Sequence, residues 1–175
     1  MQSLINKLVS YNTIIFVMIV LGIDVLLATF CYFVIEPWYE NLFGPIGGPE
    51  DYLVGIPLYL KLIIVALITP LIETFVFQFL VIYLLLRFTR FPLWAVICIS
   101  ALIFGLAHTY SVYYMLYAFV GGVIYAVAFA ACKQKKGYFF AFWIVVLIHG
   151  LFNAIGTLIM QFGEESVSGA CCSLC

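Results

Sequence analysis

Five long apolar runs, joined by short polar segments, restrict this chain to a bundle of membrane helices. A helix that crosses a bilayer needs about 20 mostly apolar residues. The chain is 67% hydrophobic and only 9% charged, whereas about a quarter of the residues of a soluble domain are charged. The runs predict helices over Tyr11–Ile35, Ile56–Leu86, the shorter Leu93–His108, Val112–Ala131 and Tyr138–Met160.

The predicted fold class is therefore all-α, a polytopic membrane helix bundle. We expect a single transmembrane domain over residues 1–175, with about five spans and room for one extra short interfacial helix. The runs lack the alternation that a membrane barrel needs. The first run lacks a basic start and a cleavage site, so it is read as a retained helix rather than a signal peptide.

Basic residues in the predicted loops indicate the orientation. Six of the seven lysines and arginines fall on one side of the bundle, with Lys61 as the exception. The positive-inside rule then places the N-terminus in the cytoplasm and the C-terminus outside, in the cell membrane. The basic residues are Lys7, Arg87, Arg90, Lys133, Lys135 and Lys136, and the acidic ones opposite are Glu36, Glu40, Glu50, Asp51, Glu164 and Glu165.

Two segments lie outside the helices. Residues 36–56, with three prolines and a Gly-Gly pair, are predicted to form an extracytoplasmic loop with a short interfacial piece. The tail, residues 161–175, contains Cys171, Cys172 and Cys175, whose spacing fits neither a four-ligand zinc pattern nor a lipidation box. The net charge of −1 gives no reason to expect a nucleic-acid partner. The lipid bilayer is the one partner that composition requires, and the oligomeric state is left open.

Three ionisable side chains lie deep in the apolar runs. Glu73, His108 and His149 each carry a cost of several kcal/mol in hydrocarbon unless they are paired or face a polar cavity. Phe104 precedes His108 by four residues, and Asn153 follows His149 by four, so each pair shares a helix face. Another acid in an apolar run, Asp24, has no such companion, and we expect it outside the site.

These residue types suit hydrolysis if their helices meet around one cavity. A carboxylate can take a proton from water, and a neutral imidazole can hold that water in line. A second imidazole and a carboxamide can stabilise the oxyanion that forms at a carbonyl. No serine or cysteine is paired obviously with a histidine, which argues against a covalent nucleophile. Since the helical His-Glu-x-x-His signature is absent, we predict no metal and no cofactor.

Three short motifs resemble the CAAX protease and bacteriocin-processing family, also called the ABI family of intramembrane glutamate endopeptidases. The order and spacing agree over a family-like core at residues 57–160. The motifs are Glu73-Thr74-Phe75-Val76-Phe77-Gln78, Phe104-Gly105-Leu106-Ala107-His108 and His149-Gly150-Leu151-Phe152-Asn153.

The resemblance implies roles for the site residues. Glu73 matches the catalytic base and His108 its partner at the attacking water, while His149 and Asn153 match the oxyanion-stabilising pair. The implied activity is metal-independent endopeptidase cleavage near the membrane surface. The substrate would be a prenylated C-terminal peptide, a leader or signalling peptide, or a membrane protein.

The chain departs from the family at two positions. Thr74 stands where the family has a second glutamate, and Gln78 where it has an arginine. The change removes one charge of each sign, so we expect a neutral hydrogen-bonded pair that, with Phe104, supports the site. The same departures keep open a non-catalytic binding or immunity protein of this fold. A proton-coupled transporter and a zinc enzyme are further alternatives.

Overall fold

The computed structural model describes residues 1–172, except the side chains of residues 50 and 163–172, and in this part the chain forms helices and no strands. The all-α prediction is confirmed. The predictions for Glu164, Glu165 and the cysteine-containing tail concern side chains outside the described residues. The helices are α1 Gln2–Ser10, α2 Thr13–Phe43, α3 Leu58–Phe88, α4 Leu93–Ala107, α5 Val112–Lys136 and α6 Tyr138–Cys172.

Within the described residues, four helices are long and apolar enough to cross a membrane: α2, α3, α5 and α6. Helix α4 is equally apolar but has only 15 residues. At 1.5 Å per residue it extends about 22 Å, less than the roughly 30 Å of a bilayer's hydrocarbon core. The chain is an integral membrane protein, and α4 is shorter than the hydrocarbon core is thick.

Helix boundaries differ from the predicted ones mainly at the ends. The first eight residues of the predicted loop, Glu36–Phe43, are helical and continue α2. Gly44 and Gly137, both with φ of 89°, then end α2 and α5, because glycine adopts positive φ without steric cost. A 3-10 turn, Pro49–Tyr52, interrupts the connection to α3. The extracytoplasmic location of this loop stays a prediction.

The additional short helix is α1, at the end of the bundle where the basic residues lie. Ile5 is fully buried there. Gln134, near the end of α5, donates to Asn6 at 3.0 Å and accepts from Gln2 at 3.1 Å. The Lys135 ammonium donates to the carbonyl of Tyr11. These contacts fix α1 to α5 at the basic end of the bundle.

Helix α5 packs closely against α4 through two glycines. A Cβ atom added at Gly105 would lie 2.8 Å from the Met115 carbonyl oxygen, and one added at Gly122 would lie 2.9 Å from the Phe104 ring. Side chains larger than hydrogen would therefore push the helices apart. Their packing holds Phe104 and its neighbours against the centre of α5.

Three stretches of π-helix interrupt the long spans: Cys31–Ile35 in α2, and Ile64–Ile68 and Thr74–Leu80 in α3. The α-helical parts of these spans are Thr13–Phe30 and Glu36–Phe43 in α2, and Leu58–Ile63, Thr69–Glu73 and Val81–Phe88 in α3. A π register redirects carbonyl groups and is common near functional sites. Ser100 of α4 donates to one such carbonyl, that of Phe77, at 2.7 Å. Helix α3 is thereby bonded to α4 next to Glu73.

Candidate active site

The Glu73 carboxylate lies between the two histidines of the chain. One oxygen is 3.5 Å from Nε2 of His108, and the other is 3.6 Å from Nε2 of His149. The Glu73 side chain keeps 20% of its surface exposed. Helices α3, α4 and α6 thus bring together three of the four predicted catalytic residues.

His108 comes directly after the last residue of α4. Its Nδ1 lies 2.7 Å from the carbonyl oxygen of Phe104. Because a carbonyl oxygen only accepts, Nδ1 carries the hydrogen, and in the neutral ring Nε2 presents a lone pair to Glu73. Phe104 also contacts the ring face, with centroids 4.4 Å apart. Phe104 therefore fixes both the orientation and the tautomer of His108, a more specific support than its motif position predicts.

His149 is held by aromatic rings instead. Tyr125 of α5 stacks on its imidazole, with centroids 4.5 Å apart and planes 30° from parallel, and Phe104 meets it edge-on at 6.1 Å. Its Nδ1 is buried and has no hydrogen-bond partner. Packing alone keeps Nε2 directed at Glu73.

Asn153, one turn along α6 from His149, is bonded to α3. Its Nδ2 donates to the carbonyl oxygen of Val65 at 2.8 Å. In the π-helical stretch Ile64–Ile68, the backbone N–H of Thr69 donates to the carbonyl oxygen of Ile64. In the same register, the carbonyl oxygen of Val65 would accept from the backbone nitrogen of Pro70. Proline has no N–H, so the Val65 carbonyl is left for the Asn153 amide. Pro70 thus leaves the Val65 carbonyl oxygen free to accept the bond that positions Asn153. The second Nδ2 hydrogen of Asn153 remains for another acceptor.

The expected hydrogen-bonded pair of Thr74 and Gln78 is not formed. Both side chains are fully buried, yet Thr74 Oγ1 and both polar atoms of Gln78 have no partner. Within a π-helical stretch, residues four apart no longer share the α-helical geometry on which the prediction relied. The two residues fill space beside Glu73 without a polar contact.

A cavity adjoins the two histidines. Its empty space is about 400 Å³, which includes the open solvent at its mouth. Asp24 of α2, which we expected outside the site, lines this cavity. The sequence signal for Asp24 was its position as an acid inside an apolar run. Its partner Tyr125 lies 101 positions away and belongs to no motif. The lining residues are Asp24, Leu27, Phe104, His108, Tyr114, Tyr117, Ala118, Gly121, Tyr125, His149, Phe152 and Asn153.

The loop between α2 and α3 lies over the His108 end of the site. The ring of Tyr52 contacts that of Tyr110 at 5.7 Å, and the Tyr110 ring is 5.1 Å from Tyr114. Tyr114 in turn stacks on His108 at 5.8 Å. A chain of aromatic contacts thus joins the loop to the His108 imidazole.

A family model described as "Type II CAAX prenyl endopeptidase Rce1-like" matches residues 55–155. The match covers more than half of the 175 residues and includes Glu73, His108, His149 and Asn153. The chain belongs to this family of CAAX-type membrane endopeptidases, and the resemblance drawn from the motifs is confirmed. Comparisons with curated proteins and with solved structures found no match.

Proposed function

We propose that the protein is an intramembrane endopeptidase in which Glu73 activates a water molecule without a metal ion. The observation that carries the proposal is the Glu73 carboxylate between two imidazole Nε2 atoms, at 3.5 and 3.6 Å. These separations are long for direct hydrogen bonds. They suit groups that act together on a molecule beside them.

Glu73 and His108 are arranged to orient water. With hydrogen fixed on Nδ1 by the Phe104 carbonyl, neutral His108 and ionised Glu73 both present acceptors to the same point. A water there donates one hydrogen to each and directs an oxygen lone pair outward. Glu73 takes one proton as the oxygen attacks the peptide carbonyl carbon. The same proton then passes to the leaving amine nitrogen, so that Glu73 ends ionised.

His149 and Asn153 supply donors for the oxyanion. A carbonyl oxygen near Glu73 is within reach of His149 when Nε2 carries the hydrogen, and the partnerless Nδ1 then holds the lone pair. The free Nδ2 hydrogen of Asn153 is the second donor, since the other is used by Val65. Donors fixed in advance stabilise developing negative charge without a reorganisation cost.

The purified protein in detergent or proteoliposomes, incubated with a synthetic peptide library, provides the test. Cleavage products are identified by mass spectrometry, with Glu73→Gln as the inactive variant and the exposed Glu40→Gln as a charge-matched control. We expect cleavage by wild type and Glu40→Gln, unchanged by exhaustive chelation, and none by Glu73→Gln. Cleavage that survives Glu73→Gln rejects the mechanism, and cleavage abolished by chelation and restored by zinc favours a zinc enzyme.

The substrate is proposed to be a peptide or membrane protein presented at the bilayer, and the protein is proposed to lie in the cell membrane with a cytoplasmic N-terminus. The clustering of basic residues at one end of the bundle supports this orientation. Cysteines introduced one at a time at positions 7 and 52 of a cysteine-free variant, and labelled in intact cells, would test it. Only the second should react with an impermeant reagent.

The replacements at Thr74 and Gln78 favour one alternative, a non-catalytic binding or immunity protein of the same fold. Neither side chain has a polar partner beside Glu73. Protection or partner binding that persists after loss of Glu73, His108, His149 and Asn153 together would support this alternative over the protease.

A further inference from the structure

Asp24 is a buried acid that the proposed hydrolysis does not use. It is 97% buried, with an exposed fraction of 3%. The Tyr125 hydroxyl lies within hydrogen-bonding range of its carboxyl group, while Oδ2 has no partner. None of the seven lysines and arginines, all within the described residues, pairs with it. An acid at this depth without a counter-charge is costly and is a default candidate for function.

Asp24 lies at the level of Tyr125 and His149, about one helical turn from Asn153. Asp24, Tyr125 and His149 each lie eleven positions from the basic end of their helix, whereas Asn153 lies fifteen positions from it. The four-residue difference corresponds to about 6 Å. The stacking of Tyr125 on His149 confirms that these levels coincide in space. The basic ends of these helices are Thr13 for α2, Lys136 for α5 and Tyr138 for α6.

The lining of the cavity extends from Tyr114, beside the aromatic contacts of the loop, to Asp24 and Tyr125. Tyr114 lies near the start of α5 and Tyr125 eleven residues further along, so the α5 wall of the cavity is about 16 Å long. Between them, Tyr117 and Phe152 add two more aromatic side chains to the lining. A carboxylate at the end of an aromatic-lined cavity favours a cation, because ring faces and a negative charge both attract positive charge.

We propose that Asp24 and Tyr125 form the floor of a subsite that binds a positively charged lysine or arginine side chain of the peptide substrate. The inference rests on the proposed endopeptidase function. The floor lies at the level of His149 and about 6 Å along the bundle from Asn153. Because an extended chain advances about 3.3–3.6 Å per residue, the bound side chain belongs to a residue within two positions of the scissile bond. Asp24 is a specificity residue, and Glu73 remains the only carboxylate that handles the water.

Cleavage of paired peptides tests the subsite. In N-acetylated peptides, one position at a time carries either lysine or norleucine, which has similar length and no charge, and kcat/KM is measured for each pair. We expect wild type to prefer lysine at one position near the cut by about 30-fold or more, the scale of a desolvated charge pair. Asp24→Asn should remove that preference by lowering kcat/KM for the lysine peptide towards that for the norleucine peptide.

Two further variants complete the cleavage test. Asp24→Glu should retain part of the preference, since it keeps the charge, and the exposed Glu40→Gln should retain all of it. An unchanged lysine-to-norleucine ratio in Asp24→Asn overturns the proposal, as does a wild type that shows no preference at any position. A free amino terminus that is preferred over the acetylated one, with no lysine preference, also overturns the assignment to a side chain.

Binding gives a readout that does not require hydrolysis. In the Glu73→Gln background, fluorescently labelled lysine peptides should bind at least about tenfold more tightly than their norleucine counterparts, equivalent to 1.4 kcal/mol. Adding Asp24→Asn should abolish the difference. If wild type cleaves nothing but this difference is present, the endopeptidase proposal fails and the cationic subsite stands. Equal binding of the two peptides rejects the subsite.

Discussion

The two acids inside the bundle, Glu73 and Asp24, are alike in chemistry and differ in their partners. Glu73 lies between two imidazole rings and keeps 20% of its side chain exposed. Asp24 is 97% buried, faces the Tyr125 hydroxyl and leaves one oxygen without a partner. Imidazoles can hold, accept and return protons at neutral pH, whereas a tyrosine hydroxyl mainly donates a hydrogen bond. The partners therefore place Glu73 among groups that can transfer protons and leave Asp24 apart from them.

The largest expected effect on the rate follows from replacing His108, a partner of Glu73 that Asp24 does not share. His108→Ala should lower kcat by about 10²–10⁴-fold, the usual contribution of a positioned acid–base group. The lysine-to-norleucine preference should remain, because Asp24 is untouched. Single-turnover hydrolysis of both peptides measures this, with the lipid-facing Leu102→Ala on the same helix as control. If His108→Ala removes the preference but not the rate, the division between the acids is wrong.

Asn153→Ala should have the next largest effect. Loss of one oxyanion donor typically costs about 10²–10³-fold in kcat. The Val65 carbonyl also loses its only side-chain donor, so we expect the melting temperature in detergent to fall as well. Parallel kinetics and thermal unfolding measure the two consequences. A variant with normal kcat and a lowered melting temperature would leave Asn153 as a structural bond between α3 and α6.

Gly150→Ala should displace the residues beside Glu73 without touching α2. A Cβ atom added at Gly150 would collide with the Ala66 carbonyl oxygen of α3. Because Gly150 directly follows His149, the collision should shift His149 as well. Overpacking of this kind costs about 1–3 kcal/mol. Gly156→Ala, on the same helix with open space around it, is the matched control. Equal melting temperatures for the two variants would contradict the close approach of α6 to α3.

The smallest effect is expected at Gln78, a buried polar residue that does not line the cavity. Its amide has no partner, so Gln78→Met should be neutral or stabilise the protein by up to about 1–3 kcal/mol, the cost of an unsatisfied buried group. Hydrolysis of the norleucine peptide should change little. Thermal unfolding and kcat check both statements. A large loss of activity would show that Gln78 acts on Glu73 despite the absence of a polar contact.

The sequence predicted the helical bundle and the meeting of Glu73, His108 and His149, because apolar length and motif spacing are local properties. It did not predict the π-helical turns, since helix propensities do not distinguish π from α registers. Asn153 was found through its motif, but its bond to Val65 depends on Pro70 and a π turn on another helix. The contact of Asp24 with Tyr125 was not predicted, because the two residues lie 101 positions apart in the sequence.

Orientation, cell membrane and substrate remain predictions for the same reason. Each depends on molecules other than this chain, whereas the contacts around Glu73 are made by side chains of the chain itself. The most informative experiments therefore separate the two acids before a natural substrate is sought.

One measurement compares the acids directly: single-turnover hydrolysis of the norleucine peptide by purified Glu73→Gln and Asp24→Asn. Loss of the catalytic base should reduce the rate at least about 10³-fold, well beyond the effect of Asp24→Asn. Hydrolysis by Glu73→Gln at a rate near that of wild type would contradict the account, whatever Asp24→Asn does.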